Sequence, residues 1–328
     1  MLKILDAEQA IKRSQKEFEK QFNQFTDERI PVRLGYSGGN FEGTVSWAST
    51  LGIWAYQEAD KDRYLNYFGL GKPKKDSMVP ITCQINFPLR GIDRQVAGAF
   101  TEDDNGMTLV THRGKIGGGR KGIGKSLFED NYRGEWVTVR DGPKQSRLAL
   151  IGSLSSPRFC RQVSQFTHEV DRIKDLASSG PPKVASSRLS HAFSKEFSGK
   201  KKYTVGTEVE AECDHGLIVN DLSIVLSRLR LKFGNDRNRD LYVVTASGKL
   251  TSLFEIKTDV TSTSLYAGIG QLLLNSVSLA KHPNLILVIP NRLSRILEGN
   301  FKSLGIKLLV FRWKGDKAVF PKLSSSSL

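Results

Sequence analysis

Apolar residues recur at helical spacing near the start of the chain. Ile11, Phe18, Phe22 and Phe25 lie 7, 4 and 3 residues apart, which puts them on one face of a helix over roughly residues 6–27. Residues 31–56 are rich in glycine and aromatics and predict short strands with tight turns. GLGKPKKD (69–76) reads as a loop. Strand-like segments follow: ITCQINF, VAGAF and MTLVTH across the polar turn TEDDNG, then EWVTV and RLALIGSL. A second amphipathic helix is expected after Ser155, with Ser156 as N-cap and Pro157 at the first helical position. Its stripe is Phe159, Val163, Phe166, Val170 and Ile173, spaced 4, 3, 4 and 3. The expectation for residues 1–176 is an α+β domain.

Residues 177–202 change character. Ser, Gly, Pro and Lys dominate, which predicts a linker. A second domain is expected over 203–323. It begins with a helix at 207–232 and a loop FGNDRNRD. The strands LYVVT and LTSLFEIK follow, joined by a turn at Ser247–Gly248. A helix at about 264–280, a strand LILVIP, a short helix LSRILEGNF and a last strand IKLLVFRW complete it. That order predicts an α/β domain, a mixed sheet flanked by helices. The terminal SSSSL reads as a frayed tail.

Composition narrows the partners. The 328 residues carry 49 Lys+Arg against 34 Asp+Glu, a net charge of +15. Such an excess favours a polyanion, because surface cations displace counterions condensed on phosphates. Nucleic acid and an anionic membrane surface are both permitted by charge alone. No run approaches the ~18 apolar residues of a spanning helix, so no membrane is expected. The first residues, MLKILDAEQAIKRSQ, lack the apolar core of a secretory signal. Cys83, Cys160 and Cys213 have neither zinc-ligand spacing nor a disulfide pattern, which suits a reducing, cytoplasmic location.

The chemistry concentrates in the second domain. Asp240 opens the LYVVT strand, and Glu255 and Lys257 end the next one. Residues i and i+2 of a strand share a face, so Glu255 and Lys257 project together and Ile256 points into the opposite core. A hairpin turning at Ser247–Gly248 brings Asp240 beside Glu255. Two close carboxylates repel unless a cation lies between them, and oxygen ligands suit Mg²⁺. A lysine beside that metal can orient or activate water against a phosphodiester. The stripe Val219, Leu222, Leu226 and Leu229 of the preceding helix continues backwards to His215, Glu212 and Glu208. Its polar end would bring one more acid to the site, with Glu212 the first choice. Taken alone, a Glu-x-Lys on a strand is more often a solvated face.

Residues 203–315 resemble the PD-(D/E)XK nuclease superfamily, in the version found in restriction and defence enzymes. The resembling segments are HGLIVNDLSIVL (215–226), RDLYVV (239–244), LFEIKTD (253–259), YAGIGQLLLN (266–275) and IKLLVF (306–311). The resemblance implies a restriction-endonuclease-like fold with a mixed four-stranded core, and Mg²⁺-dependent phosphodiester hydrolysis with Mn²⁺ as a substitute. It implies that Asp240, Glu255 and the Ile256 carbonyl hold the metal, that Lys257 positions the attacking water, and that Gln271 orients the site. Two positions depart from the family pattern. Arg239 stands where proline is usually written, and Asn275 where a tyrosine often lies.

The first domain contains the basic, glycine-rich stretch THRGKIGGGRKGIGKSLF (111–128), with Arg113, Lys115, Arg120, Lys121 and Lys125. GRKGIGKS satisfies the phosphate-binding-loop expression, but no apolar strand ends at its first glycine and the following helix is too short. We therefore read these residues as DNA-phosphate contacts, with a solvated loop as the bland reading. Tyr36, Phe41, Trp47, Trp54 and Tyr56 are first of all core candidates; as pocket walls they would suit a flipped or modified base.

The combined expectation is a Mg²⁺-dependent DNA endonuclease of restriction or anti-phage defence type. An N-terminal recognition domain precedes the nuclease domain, and a homodimer would supply two active sites. The alternatives are a repair nuclease on branched or damaged DNA and a catalytically silent nucleic-acid-binding protein.

Overall fold

A computed structural model of the chain describes residues 1–36, 38–117, 122–179, 206–236, 238–277, 283–321 and 323–324, without the side chains of 178–179 and 206–212. Most of the expected linker lies outside the described residues. The molecule is α+β and divides into two compact units.

The first unit opens with β1 (Lys3–Ile4) and α1 (Glu8–Asn23). Next come β2 (Glu28–Tyr36), β3 (Gly39–Ala48), β4 (Ile53–Ala59), β5 (Arg63–Leu70), β6 (Met78–Pro80), β7 (Cys83–Gln84) and β8 (Phe87–Pro88). It ends with β9 (Gly98–Glu102), β10 (Thr108–His112), α2 (Lys125–Asn131), β11 (Trp136–Asp141), β12 (Lys144–Ser153) and α3 (Phe159–Ser179). Strands β6-β2-β3-β4-β5-β7 form one sheet, with β8 also on β5, and β1-β11-β12-β10-β9 close into a barrel. Closure depends on the two residues of β1, which pair with β9 on one side and β11 on the other.

The expected α3 stripe is buried as read, whereas α1 ends at Asn23 instead of 27 and leaves Phe25 beyond it, half-buried. Ile11, Phe18 and Phe22 of α1, and all five residues of the α3 stripe, enter one core. Phe18 is its hub, with five other phenyl rings 5.3–6.4 Å away. Helix α3 starts two residues later than Pro157, yet Ser156 still caps the turn, its Oγ accepting from the Arg158 N–H at 3.2 Å. The sheet alternates as strands must. Ile53, Ala55 and Phe68 face this core, while Trp54, Val45 and Val32 form a second cluster on the other face.

His112, at the end of β10, is 1% exposed. Its Nδ1 accepts from the Gly114 N–H at 3.0 Å, so Nε2 carries the proton and donates to the Gln84 carbonyl at 3.1 Å. Both nitrogens are satisfied only in the neutral ring.

The second unit takes in α4 (Gly206–Arg228) from Asp214 onward, followed by β13 (Lys232–Asp236), β14 (Arg239–Val244), β15 (Leu250–Ile256), α5 (Ser262–Val277), β16 (Asn284–Ile289), α6 (Arg295–Ser303), β17 (Ile306–Val310), β18 (Arg312–Lys314) and β19 (Lys317–Val319). The sheet order is β13-β14-β15-β16-β17, antiparallel through the first three strands and parallel from β15 onward. One face packs on Ile218, Val219, Leu222 and Leu226 of α4; the other on Leu265 and Leu272 of α5 and Phe301 of α6. Burial on both faces explains the unbroken apolar run of β16.

Two expectations are corrected. The α4 helix stops at Arg228 rather than 232, leaving Leu229 outside the fully buried stripe. Part of the expected loop FGNDRNRD is strand β13, because the edge of β14 offers its backbone groups a ladder. The sheet therefore has five strands, not four.

Burial, reinforced by the nearby Arg113 charge and opposed by the Gln84 carbonyl, lowers the His112 pKa from 6.5 to about 4. Because the folded value lies below the unfolded one, the neutral ring stabilises the fold above pH 6.5 and that contribution is lost as pH falls toward 4. The full effect is about 3 kcal/mol. Thermal unfolding of the full chain should lose less stability between pH 6.5 and 5 in His112→Gln than in the parent chain.

Candidate active site

Strands β14 and β15 form a hairpin. Thr245 and Lys249 close its turn with a 2.8 Å backbone hydrogen bond, and Gly248 supplies the positive φ of 81° that the turn requires. The register sets Leu241 opposite Phe254, so Asp240 falls opposite Glu255. The Asp240 side chain lies on the same side of its strand as Tyr242, and Glu255 on the same side as Leu253, facing α5. Ile256 turns the other way, into the core under α4.

Each charge has a defined partner. The Ile256 N–H donates to Asp240 Oδ2 at 2.8 Å. His215 Nε2 of α4 lies 3.4 Å from Asp240 Oδ1. Lys257 Nζ bridges Glu255 Oε1 at 2.7 Å and Gln271 Oε1 of α5 at 2.8 Å. Gly268 makes room for the lysine. A Cβ there would stand 2.6 Å from Leu287 Cδ1 and 3.4 Å from Lys257 Cε. Asn275, at the family's tyrosine position, donates to the Asn238 carbonyl at 2.9 Å and ties α5 to the turn before Asp240.

The two acids are pushed apart electrostatically. Glu255 is 3% exposed; burial first, then the Asp240 charge, raises it to about 7 against the pull of Lys257. Burial alone would raise Asp240 too. The His215 charge and hydrogen bond, the Ile256 amide and Lys257 outweigh burial and hold Asp240 below the usual carboxylate range. One acid that stays ionised thus stands beside one poised near neutrality, a pairing associated with acid–base and metal chemistry.

The structure brings together Asp240, Glu255, Lys257 and Gln271, and adds His215, which ranked below Glu212 on sequence. The Glu212 and Glu208 side chains lie outside the described residues. Gly268 was not anticipated; its signal is a small residue one helical turn before Gln271.

The basic loop divides. Arg113 is 7% exposed and turned inward, its Nη1 donating to Asp141 Oδ2 at 2.8 Å, where Arg94 and Ser146 also bind. That corrects its expected role as a phosphate contact: the guanidinium is occupied by a wholly buried carboxylate. Lys115 donates to Gln95 Oε1 at 3.0 Å, and Lys125 pairs with Glu129 at 3.3 Å on an exposed turn of α2. Arg120 and Lys121 lie outside the described residues. β10 ends at His112, well before Gly119, and α2 has seven residues, which agrees with rejecting a nucleoside-triphosphate loop.

Comparisons with protein-family models, curated proteins and solved structures find no match.

Removing Arg113 leaves the buried Asp141 carboxylate with Arg94 and Ser146 alone, so Arg113→Met should destabilise the fold by about 3 kcal/mol. Lys125→Ala should stay within about 0.5 kcal/mol. Urea unfolding of both variants checks the contrast.

Proposed function

We propose that the protein is a divalent-metal-dependent DNA endonuclease with a restriction-endonuclease-like second unit and an N-terminal DNA-recognition unit. The observation that carries this reading is the convergence of Asp240, Glu255, Lys257 and Gln271 at one end of the mixed sheet.

The donor chemistry fits a hard cation. Two carboxylates stand at facing strand positions, and the charge of one raises the pKa of the other. Among the described residues no three His, Cys, Asp or Glu side chains group to hold a metal by themselves. Asp240, Glu255 and the Ile256 carbonyl would hold the ion, with substrate phosphate and water completing the oxygen shell that Mg²⁺ prefers. When bound, the ion would supply positive charge against the scissile phosphate.

The chain's own groups divide the remaining work. Lys257 holds its ammonium 2.7 Å from Glu255, where it can orient a water and stabilise charge developing on phosphate oxygens. Gln271 fixes the other side of that ammonium. His215 and the Ile256 N–H keep Asp240 ionised and oriented. Glu255 can accept a proton near neutral pH. The net charge of +15 favours DNA as the polyanion, and restriction or anti-phage defence is the biological setting we propose, in a cytoplasmic compartment and as a homodimer.

Mg²⁺ should support cleavage within a panel of unmodified, methylated and hydroxymethylated duplexes, single strands and RNA, and EDTA should abolish it. Glu255→Ala and Lys257→Ala should each reduce the rate by about 100-fold or more without unfolding the protein. Full cleavage by either variant, or none by the parent on any substrate, would overturn the assignment.

A further inference from the structure

The aromatic residues of the first unit separate into two sets. Trp47 and Trp54 are facing partners on β3 and β4 and are core, at 9% and 2% exposed. Tyr36, Phe41 and Tyr56 instead line a cavity of about 1210 Å³. Tyr67 of β5, the direct partner of Tyr56, joins them. The Tyr56 and Tyr67 rings stack, 17° from parallel with centroids 5.9 Å apart. Phe41 is inclined steeply to both, at 67° and 62°. Tyr36 stands at the mouth, 6.3 Å from Phe41 and half exposed. Gly43 allows this layout, since a Cβ there would come within 2.9 Å of the Tyr56 ring.

Acids outnumber cations around the cavity: Glu58, Asp60, Asp171 and Asp175 line it against Lys115 and Lys174. Glu58 projects on the same face as Tyr56, two residues along β4, and accepts the Tyr56 hydroxyl. Its carboxylate is an acceptor beside the stacked pair.

We propose that this cavity binds a nucleobase swung out of a DNA duplex, with a preference for bases that carry an exocyclic amine. This rests on the reading of DNA as substrate. A stacked aromatic pair with a third ring set steeply to it offers ring faces and edges to a planar ring, the usual way proteins hold an unstacked base. A carboxylate accepts from the exocyclic amines of cytosine, adenine or guanine, whereas thymine offers it only its N3–H. The volume exceeds the ~300–1,000 Å³ of ordinary ligand sites, leaving room for the attached sugar. A quaternary ammonium would also be drawn to aromatic faces and a carboxylate. The chain's net charge of +15 attracts a polyanion carrying the base, and competition with tetramethylammonium separates the two occupants.

The test uses the full chain with Lys257→Ala in EDTA, so that binding is read without cleavage. Short fluorescein-labelled duplexes are compared by anisotropy: fully paired, and carrying one unpaired cytosine or thymine opposite an abasic site. An unpaired base avoids the cost of extrusion, a few kcal/mol. The cytosine duplex should bind about ten-fold tighter than the paired one, and tighter than the thymine duplex. Phe41→Leu and Tyr56→Leu, which keep bulk but lose the ring, should each remove that preference while leaving paired-duplex affinity and the unfolding midpoint unchanged. Equal affinity for all three duplexes overturns the proposal. So does a preference that survives both substitutions, or displacement by tetramethylammonium but not by cytidine monophosphate. A chain that fails to cleave any DNA can still pass this assay, and a competent nuclease can still fail it.

Discussion

Two carboxylates held side by side in a poorly hydrated place repel each other, and the second unit is arranged around that repulsion. The hairpin register makes Asp240 and Glu255 neighbours. Desolvation penalises both; His215 and Lys257 ease that penalty for each, and the Ile256 amide adds its hydrogen bond to Asp240 alone. These partners come from α4, from the hairpin itself and from the strand end beneath α5. Helices on both faces of the sheet are therefore a requirement of the site as well as of the core. A lone hairpin could bring the acids together but could not keep them at different protonation.

The first unit solves a different problem. The short strands expected over 31–56 are long ones, β2 of nine residues and β3 of ten, and two sheets share one aromatic core centred on Phe18. The barrel has no edge to protect because β1, only two residues long, fills the gap between β9 and β11. The other sheet leaves its far face partly open, with indoles packed at its middle and phenols at its rim. The same alternation that builds a core in one place builds a cavity a few residues away.

Much of this was legible along the chain because it obeys short periods. The α1 and α3 stripes, the placement of Glu255 and Lys257 on one face, and the turn at Ser247–Gly248 follow from spacing alone. What escaped depends on partners distant in sequence. β13 has the composition of a loop, with Gly, Asn and Asp, and becomes a strand because an edge is waiting for it. Arg113 looked like a surface cation because Asp141, its partner, lies 28 residues away. Trp54 and Tyr56 share a face, so alternation could not tell which would be covered; the pairing of Trp54 with Trp47 decides it. Asp240, Glu255, Lys257 and Gln271 could be picked out, whereas His215 could not be ranked above Glu212 without the end of the sheet in view.

The bare backbone at Gly268 has a consequence for Lys257. The main chain of the lysine is held in line with β16 by a 2.9 Å hydrogen bond to the Val288 carbonyl, so only its side chain can adjust. That side chain runs past a position with no Cβ and ends between two fixed oxygens. The slot is a gauge for a slender stem carrying a compact head. A guanidinium at 257 would keep the charge but has a wide, planar head, and its fork would have to displace Gln271 or Leu287. In this protein the tolerance for a cation at that point is set by shape, through a glycine in the helix above it.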